Sequence, residues 1–206
     1  IENITKKVNL ENRVIFTVSP PIYFSPMHTK KEIINFYKEV ASIGVPIIGY
    51  SNPTYTGIKL DLDIIKSLNE IIFGMKFLKG NLEELKEIRN LNKEFNIGFA
   101  DRAPLLDALS TGSNILVNGT ASMIPQIFSN FYENYKKGNI EGAKYFEQRV
   151  KNFEEIFKIH KNYIAISKAS LSLILGCADY LTKPFEELNA EAKDAVAKFL
   201  ENNGVI

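Results

Sequence analysis

The chain has 206 residues, 45% of them hydrophobic, enough for one sizeable core. Charged residues make up 24% and the formal net charge is +1, so neither the basic excess of a nucleic-acid binder nor an acidic solvating tail is present. A single cysteine, Cys177, excludes an internal disulfide framework and a multi-cysteine metal site. Cys177 lies in the apolar run SLSLILGCA and reads as core packing. No apolar run approaches the ~18 residues of a membrane span. The opening segment IENITKKVNLENR lacks the apolar stretch of a signal peptide, and it begins with Ile rather than Met, so the natural chain is expected to start elsewhere. These features predict a soluble, cytoplasmic enzyme or oligomer subunit with no nucleic-acid or membrane partner.

In chain order, short apolar runs alternate with amphipathic ones. RVIFTVS (Arg13–Ser19), VPIIGY (Val45–Tyr50), EIIFGMK (Glu70–Lys76), FNIGFAD (Phe95–Asp101) and NILVNG (Asn114–Gly119) are short, apolar and bounded by turn residues, as buried strands are. Between the first two, Ile33, Phe36, Tyr37 and Val40 recur at helical spacing, with Thr29 as N-cap and Gly44 as a stop. DIIKSLN, NLEELKEIRNLNKEF (opening at Asn81), RAPLLDALSTG and SMIPQIFSNFYENYKKG continue the helical series. Such alternation, in units of about 25–30 residues, predicts parallel βα repeats. After Gly138 the strands stop and three helical segments follow, broken by a loop around Pro184. The predicted organisation is therefore α/β, with five βα units over residues 1–138 and a C-terminal helical extension over 139–206. A closed barrel of this kind takes about 250 residues. The glycine-rich fingerprints of nucleotide-binding open sheets are absent.

Active sites of parallel βα folds sit at the C-terminal strand ends. VPIIGY ends in Tyr50 and EIIFGMK in Lys76. A lysine closing an apolar strand is desolvated, which favours the free amine and suits attack on a ketone to form a Schiff base; it also suits a side chain that snorkels to water. If sequential strands are neighbours, the Tyr50 phenol stands about 5 Å away and can relay a proton. In the loop SNPTYTG, Asn52-Pro53 predicts an extended turn and Gly57 a release toward the next helix. Its hydroxyls, on Ser51, Thr54 and Thr56, suit either substrate oxygens or the turn's own backbone.

YSNPTYTG followed by FGMK resembles the YNxPxxTG…GxK signature of the dihydrodipicolinate synthase/N-acetylneuraminate lyase family. SPPIYFSP (Ser19–Pro26) is similar to that family's TPYYxxP segment, and FADRAPLLDALSTGSNILVNGTAS to its segment of the form GDD…LxxGxxGVIS. The resemblance runs in order from about Arg13 to the C-terminus. It implies a (β/α)8 TIM barrel with a C-terminal helical extension, of which this chain holds about the last five βα units, assembled as a homotetramer. It implies Lys76 as the Schiff-base lysine that binds pyruvate, Tyr50 as the proton relay and Tyr23 as a tyrosine reaching a neighbouring subunit's site. Ser51, Asn52, Thr56 and the Val117 backbone are the expected substrate-binding positions. No metal or organic cofactor is implied.

The departures are as informative. The family's GTTGE segment, which holds the pyruvate carboxylate, and its first three βα units have no counterpart here. Tyr55 stands where the synthase branch carries a carboxylate-gripping arginine. The YxNPTxTG context resembles instead the archaeal 2-keto-3-deoxygluconate aldolases, which implies carbohydrate metabolism with pyruvate and an aldehyde as substrates; dihydrodipicolinate synthesis and a non-catalytic keto-acid-binding barrel are the alternatives. Phe77-Leu78 replaces the small polar residue that relatives often place after the lysine. Arg102 suits a cap, a surface ion pair or an anionic substrate. Asn118 and Thr120 are expected to satisfy local backbone, and the isolated His28 and His160 lack metal-ligand spacing.

Overall fold

The computed structural model describes residues 14–78, 81–100 and 104–206. By internal contacts these divide into two compact units, one of residues 14–100 with 107–117 and one of 104–106 with 118–206. Asp101 and Arg102, and the first thirteen residues, lie outside the described part, so the role weighed for Arg102 has no structural counterpart here.

The first unit is built on five parallel strands: β1 (Phe16–Val18), β2 (Ile47–Ser51), β3 (Gly74–Phe77), β4 (Asn96–Phe99) and β5 (Ile115–Leu116). They pair in sequence order, β1-β2-β3-β4-β5. A doubly wound sheet reverses its strand order at a switch point, so that helices cover both faces. This order never reverses, as in the wall of a βα barrel. Burial agrees with one helix-covered face. Ile47, Met75, Phe77, Ile97 and Phe99, which alternation puts on one side, are at most 3% exposed. Each such side chain contributes about 1.5–3 kcal/mol of transfer free energy. The opposite face carries Ile48, Tyr50, Gly74, Lys76, Asn96 and Gly98.

The connecting helices are α1 (Lys30–Ala41), the one-turn α2 (Pro53–Thr56), α3 (Leu62–Leu68) and α4 (Leu82–Leu91). Thr29 caps α1 as expected, in a reciprocal box with Glu32. Ile33 and Tyr37 supply its buried face, and α1 packs beside α3 and α3 beside α4. Asp61 and Asn81 cap α3 and α4. Two expectations shift. Glu70–Phe73 forms a turn rather than strand, because Ile71 and Ile72 close back onto the Leu68 carbonyl after α3; pairing starts when the Phe73 N–H reaches Ile47. The SNPTYTG loop is not extended throughout, since Pro53 starts a helical turn that Gly57 ends at φ 70°.

At β5, side chains replace part of the ladder. Asn114 accepts from the Ile97 N–H at 2.8 Å, and the Ser113 hydroxyl donates to the Ile97 carbonyl at 2.9 Å. Arg89 reaches from α4 to donate twice to the Gly112 carbonyl, at 3.0 and 2.7 Å, and so anchors the turn before β5.

The second unit is helical. It holds the start of α5 (Leu105–Thr111), then α6 (Pro125–Lys136), α7 (Ile140–Phe153), α8 (Tyr163–Leu175) and α9 (Ala190–Asn202). α6 pairs with α7 and α8 with α9. The contacts group α6 with the later helices, so they divide the chain after Val117, ahead of the boundary drawn at Gly138. Glu147, nearly buried, accepts from the Leu106 N–H at 3.0 Å and pairs with Lys151 at 3.3 Å. Asn118 accepts from the Thr120 N–H, as expected of a local turn, whereas the Thr120 hydroxyl goes to Glu154. Cys177 is exposed, which corrects its reading as a core residue: Gly176 ends α8 in the left-handed region, and Cys177 falls beyond the helix.

The sheet leaves little room at Gly74. A Cβ there would sit 2.3 Å from the Asn96 carbonyl oxygen, whereas one at Gly98 would meet nothing closer than 3.4 Å. Gly74→Ala is therefore expected to destabilise by about 1–3 kcal/mol through forced strand displacement, and Gly98→Ala to leave stability close to that of the unaltered chain. Thermal melts of the two variants side by side check this.

Candidate active site

Tyr50 and Lys76 are register partners across β2 and β3. Parallel pairing sends their side chains to the same face. Each strand runs one residue further than expected, to Ser51 and Phe77, so both residues stand one position inside the C-terminal ends. The Lys76 Nζ lies 4.3 Å from the Tyr50 ring centroid, over its face. On its other flank Lys76 faces Gly98, which has no side chain to fill the row. One side of the amine is thus walled by an aromatic ring and the other is open.

Burial pushes the Lys76 amine below the ordinary lysine range. Among the described residues no carboxylate comes within ion-pair distance of it. The ring face favours the ammonium form, but desolvation is the larger influence and sets the direction.

One buried residue holds the phenol, and a second fixes the end of the neighbouring strand. Asn52, 0% exposed, donates from Nδ2 to the Tyr50 hydroxyl at 2.8 Å. Its own carbonyl is fixed by the Tyr55 and Thr56 N–H groups and by the Thr56 hydroxyl. Tyr37, also fully buried, donates its hydroxyl to the Val18 carbonyl at 2.9 Å. Burial drives the Tyr37 phenol far above the ordinary tyrosine range, so it remains a neutral pin from α1 to the end of β1. Tyr37 reads in the sequence only as a core position on α1. Its link to the strand ends has no signal there.

The other expected site residues fall elsewhere. Ser51 follows Tyr50 and points to the opposite, helix-covered side, where its hydroxyl accepts from the Leu60 N–H at 3.2 Å. The Thr56 hydroxyl donates to the Asn52 and Ile58 carbonyls. Both are buried and spent on backbone, so the structure assigns them to building the loop and not to facing Lys76. Tyr23 is 79% exposed in the segment after β1, with its ring against Phe24 and its carbonyl accepting from His28. It is not brought to the Tyr50–Lys76 pair. Val117 follows β5, tied to the Phe99 carbonyl by its N–H. Its strand stands two places from β3, about 10 Å across the sheet. His160 accepts from the Asn162 N–H beside the start of α8.

A parallel sheet in consecutive order, with a desolvated lysine and a phenol in register near the strand ends, is the wall of a βα barrel. The chain matches the model of the dihydrodipicolinate synthetase family over residues 13–203, and it belongs to that family. It is 31% identical over 186 residues to a 4-hydroxy-tetrahydrodipicolinate synthase of Archaeoglobus fulgidus, covering 88% of this chain and 63% of the relative. A protein of the same name from Brachyspira hyodysenteriae is 27% identical over 173 residues, covering 81% of this chain and 59% of the relative. The chain thus spans about three fifths of the length of these relatives. Among solved structures, it superposes on a prophage protein of the dihydrodipicolinic acid synthase family from E. coli K12, determined in complex with pyruvate. The TM-score is 0.87 at 16% identity, covering 100% of this chain and 71% of that one. The dihydrodipicolinate synthase of Thermotoga maritima gives a TM-score of 0.84 at 15% identity, with the same coverage. At these identities the superpositions establish the fold: five consecutive βα units of a TIM barrel followed by helices.

The lowered Lys76 amine has a direct readout. With an amine-selective alkylating reagent and peptide mass mapping, the reaction rate at Lys76 is expected to reach half its maximum below pH 10.5, the ordinary lysine value. The native chain also releases this proton before the unfolded chain does. As pH rises from the lowered value toward 10.5, this group therefore adds to stability.

Proposed function

We propose that the protein is a class I, Schiff-base aldolase or lyase that takes pyruvate as its ketone, with Lys76 as nucleophile and Tyr50 as proton carrier. The observation that carries this is the in-register Tyr50–Lys76 pair, its amine desolvated and 4.3 Å from the ring centroid. Family membership supports it.

The charges close without an outside acid. The neutral Lys76 amine adds to the pyruvate C2 carbonyl. Tyr50 gives its proton to the departing hydroxyl, which leaves as water, and an iminium beside a phenolate remains. The phenolate removes a C3 proton, the C–H electrons flow into the iminium, and an enamine forms. C3 then attacks the aldehyde carbon, whose oxygen takes the proton back from Tyr50. Hydrolysis of the new iminium returns the phenolic proton and frees Lys76. The open row at Gly98 gives the ketone space beside the amine.

For the aldehyde, Tyr55 is the deciding position. It is an exposed residue where a synthase would carry a guanidinium, and this favours a polyhydroxylated aldehyde and a 2-keto-3-deoxy sugar acid as product. The names of the relatives favour a second reading, with an aspartate-derived semialdehyde and dihydrodipicolinate synthesis. The proposal includes a homotetramer, the setting in which Tyr23 would reach a neighbour's site, and a cytoplasmic location. Among the described residues no helix is long and apolar enough to cross a membrane.

Borohydride added with pyruvate to the natural full-length protein is expected to leave a stable adduct on Lys76. An adduct that survives Lys76→Ala would sink the assignment. Tyr50→Phe is expected to lower turnover by about 10²–10⁴. Glyceraldehyde consumed in preference to aspartate semialdehyde selects the sugar-acid reading, and the reverse preference selects the synthase.

A further inference from the structure

Asn52 is the polar group whose environment is least explained by loop building. Ser51 and Thr56, its buried neighbours, close their hydroxyls on nearby backbone groups. Asn52 instead sends its carboxamide to another side chain, the Tyr50 hydroxyl at 2.8 Å, and its Oδ1 is buried with no hydrogen-bond partner among the described residues. An unmet buried acceptor is costly, so a side chain retained solely to shape the turn would not carry one. The assignment of the amide's two ends follows from the same count. Reversed, the phenol would donate to Oδ1 and both N–H donors would be buried without partners, a worse arrangement.

The direction of this hydrogen bond has a chemical consequence. Because Asn52 donates to the phenol oxygen, the phenolic hydrogen is not consumed by it and is available to a third group. When that proton leaves, the oxygen keeps an N–H partner, and a hydrogen bond to an ionised acceptor is the stronger kind. The donor is held firmly, since three hydrogen bonds fix the Asn52 carbonyl and Pro53 begins a helical turn immediately after it.

We propose that Asn52 is a positioning residue for proton transfer at Tyr50. Its Nδ2–H holds the phenol oxygen beside Lys76 and stabilises it each time the proton is passed on. The inference rests on the pyruvate reading above and replaces the direct substrate contact expected of Asn52 from the sequence. It acts through Tyr50, by withdrawing the phenolate's cost from the steps that leave one.

The test uses the natural full-length protein, pyruvate alone and heavy water, following exchange of the pyruvate methyl hydrogens by NMR together with borohydride trapping. Asn52→Leu is expected to lower the kcat of exchange about ten- to a hundredfold while the KM for pyruvate moves less than about twofold. In a Tyr50→Phe background the same substitution is expected to cost nothing further, because the group it serves is gone. Unchanged exchange in Asn52→Leu, or an equal loss in both backgrounds, overturns the proposal while the trapped adduct keeps the aldolase reading standing. No adduct on the unaltered protein overturns both. Should Asn52→Leu fail to fold by thermal melt, Asn52→Asp keeps the shape and replaces the donor with an acceptor; it must show the same loss, and full activity there overturns the proposal.

Discussion

Side chains of a strand alternate between its faces, and parallel strands in register keep that alternation in phase. In this sheet the pairing of Tyr50 with Lys76 carries much of the consequence. One residue of slippage in β3 would turn Lys76 toward the helix-covered side and bring Met75 and Phe77 out of it, exchanging buried apolar surface for a buried amine. The register is therefore enforced by the apolar residues on the far side. The lysine is held against its tyrosine by packing energy that neither residue supplies.

Buried polar groups then fix the strand ends that the ladder leaves loose. Tyr37 bonds the Val18 carbonyl, Asn52 the Tyr50 hydroxyl, and Asn114 with Ser113 the two polar groups of Ile97. Most of these side chains satisfy backbone. Asn52 stands apart because its partner is a side-chain hydroxyl.

Much of this was legible in the sequence. Five apolar runs separated by helical periodicity marked the strands to within a few residues, and a lysine and a tyrosine near the ends of successive runs marked the pair. The less legible features depend on relations a linear pattern does not carry. Ser51 follows Tyr50 and therefore faces the other way, so proximity in the chain misled there. Thr56 looked like a ligand hydroxyl because the turn that consumes it forms only once Pro53 starts a helix. Glu70–Phe73 had the apolarity of a strand but was needed to close the turn after α3. Cys177 seemed to continue an apolar helix that Gly176 ends. Asn52 was visible merely as the residue before a proline, and nothing in the sequence disclosed that its amide reaches back to the phenol.

The uninterrupted strand order also bears on how the chain acquires its shape. Every strand pairs with the one made just before it, so each closure spans one βα unit and loop-closing entropy is met in small increments. Tyr50 and Lys76 belong to a single such unit, β2 through β3. As the chain emerges from the ribosome, the ring that walls this lysine lies on its N-terminal side, and Gly98 of the following strand leaves space beside it. The Tyr50–Lys76 pair can therefore be in place while the helices of the second unit are still being made.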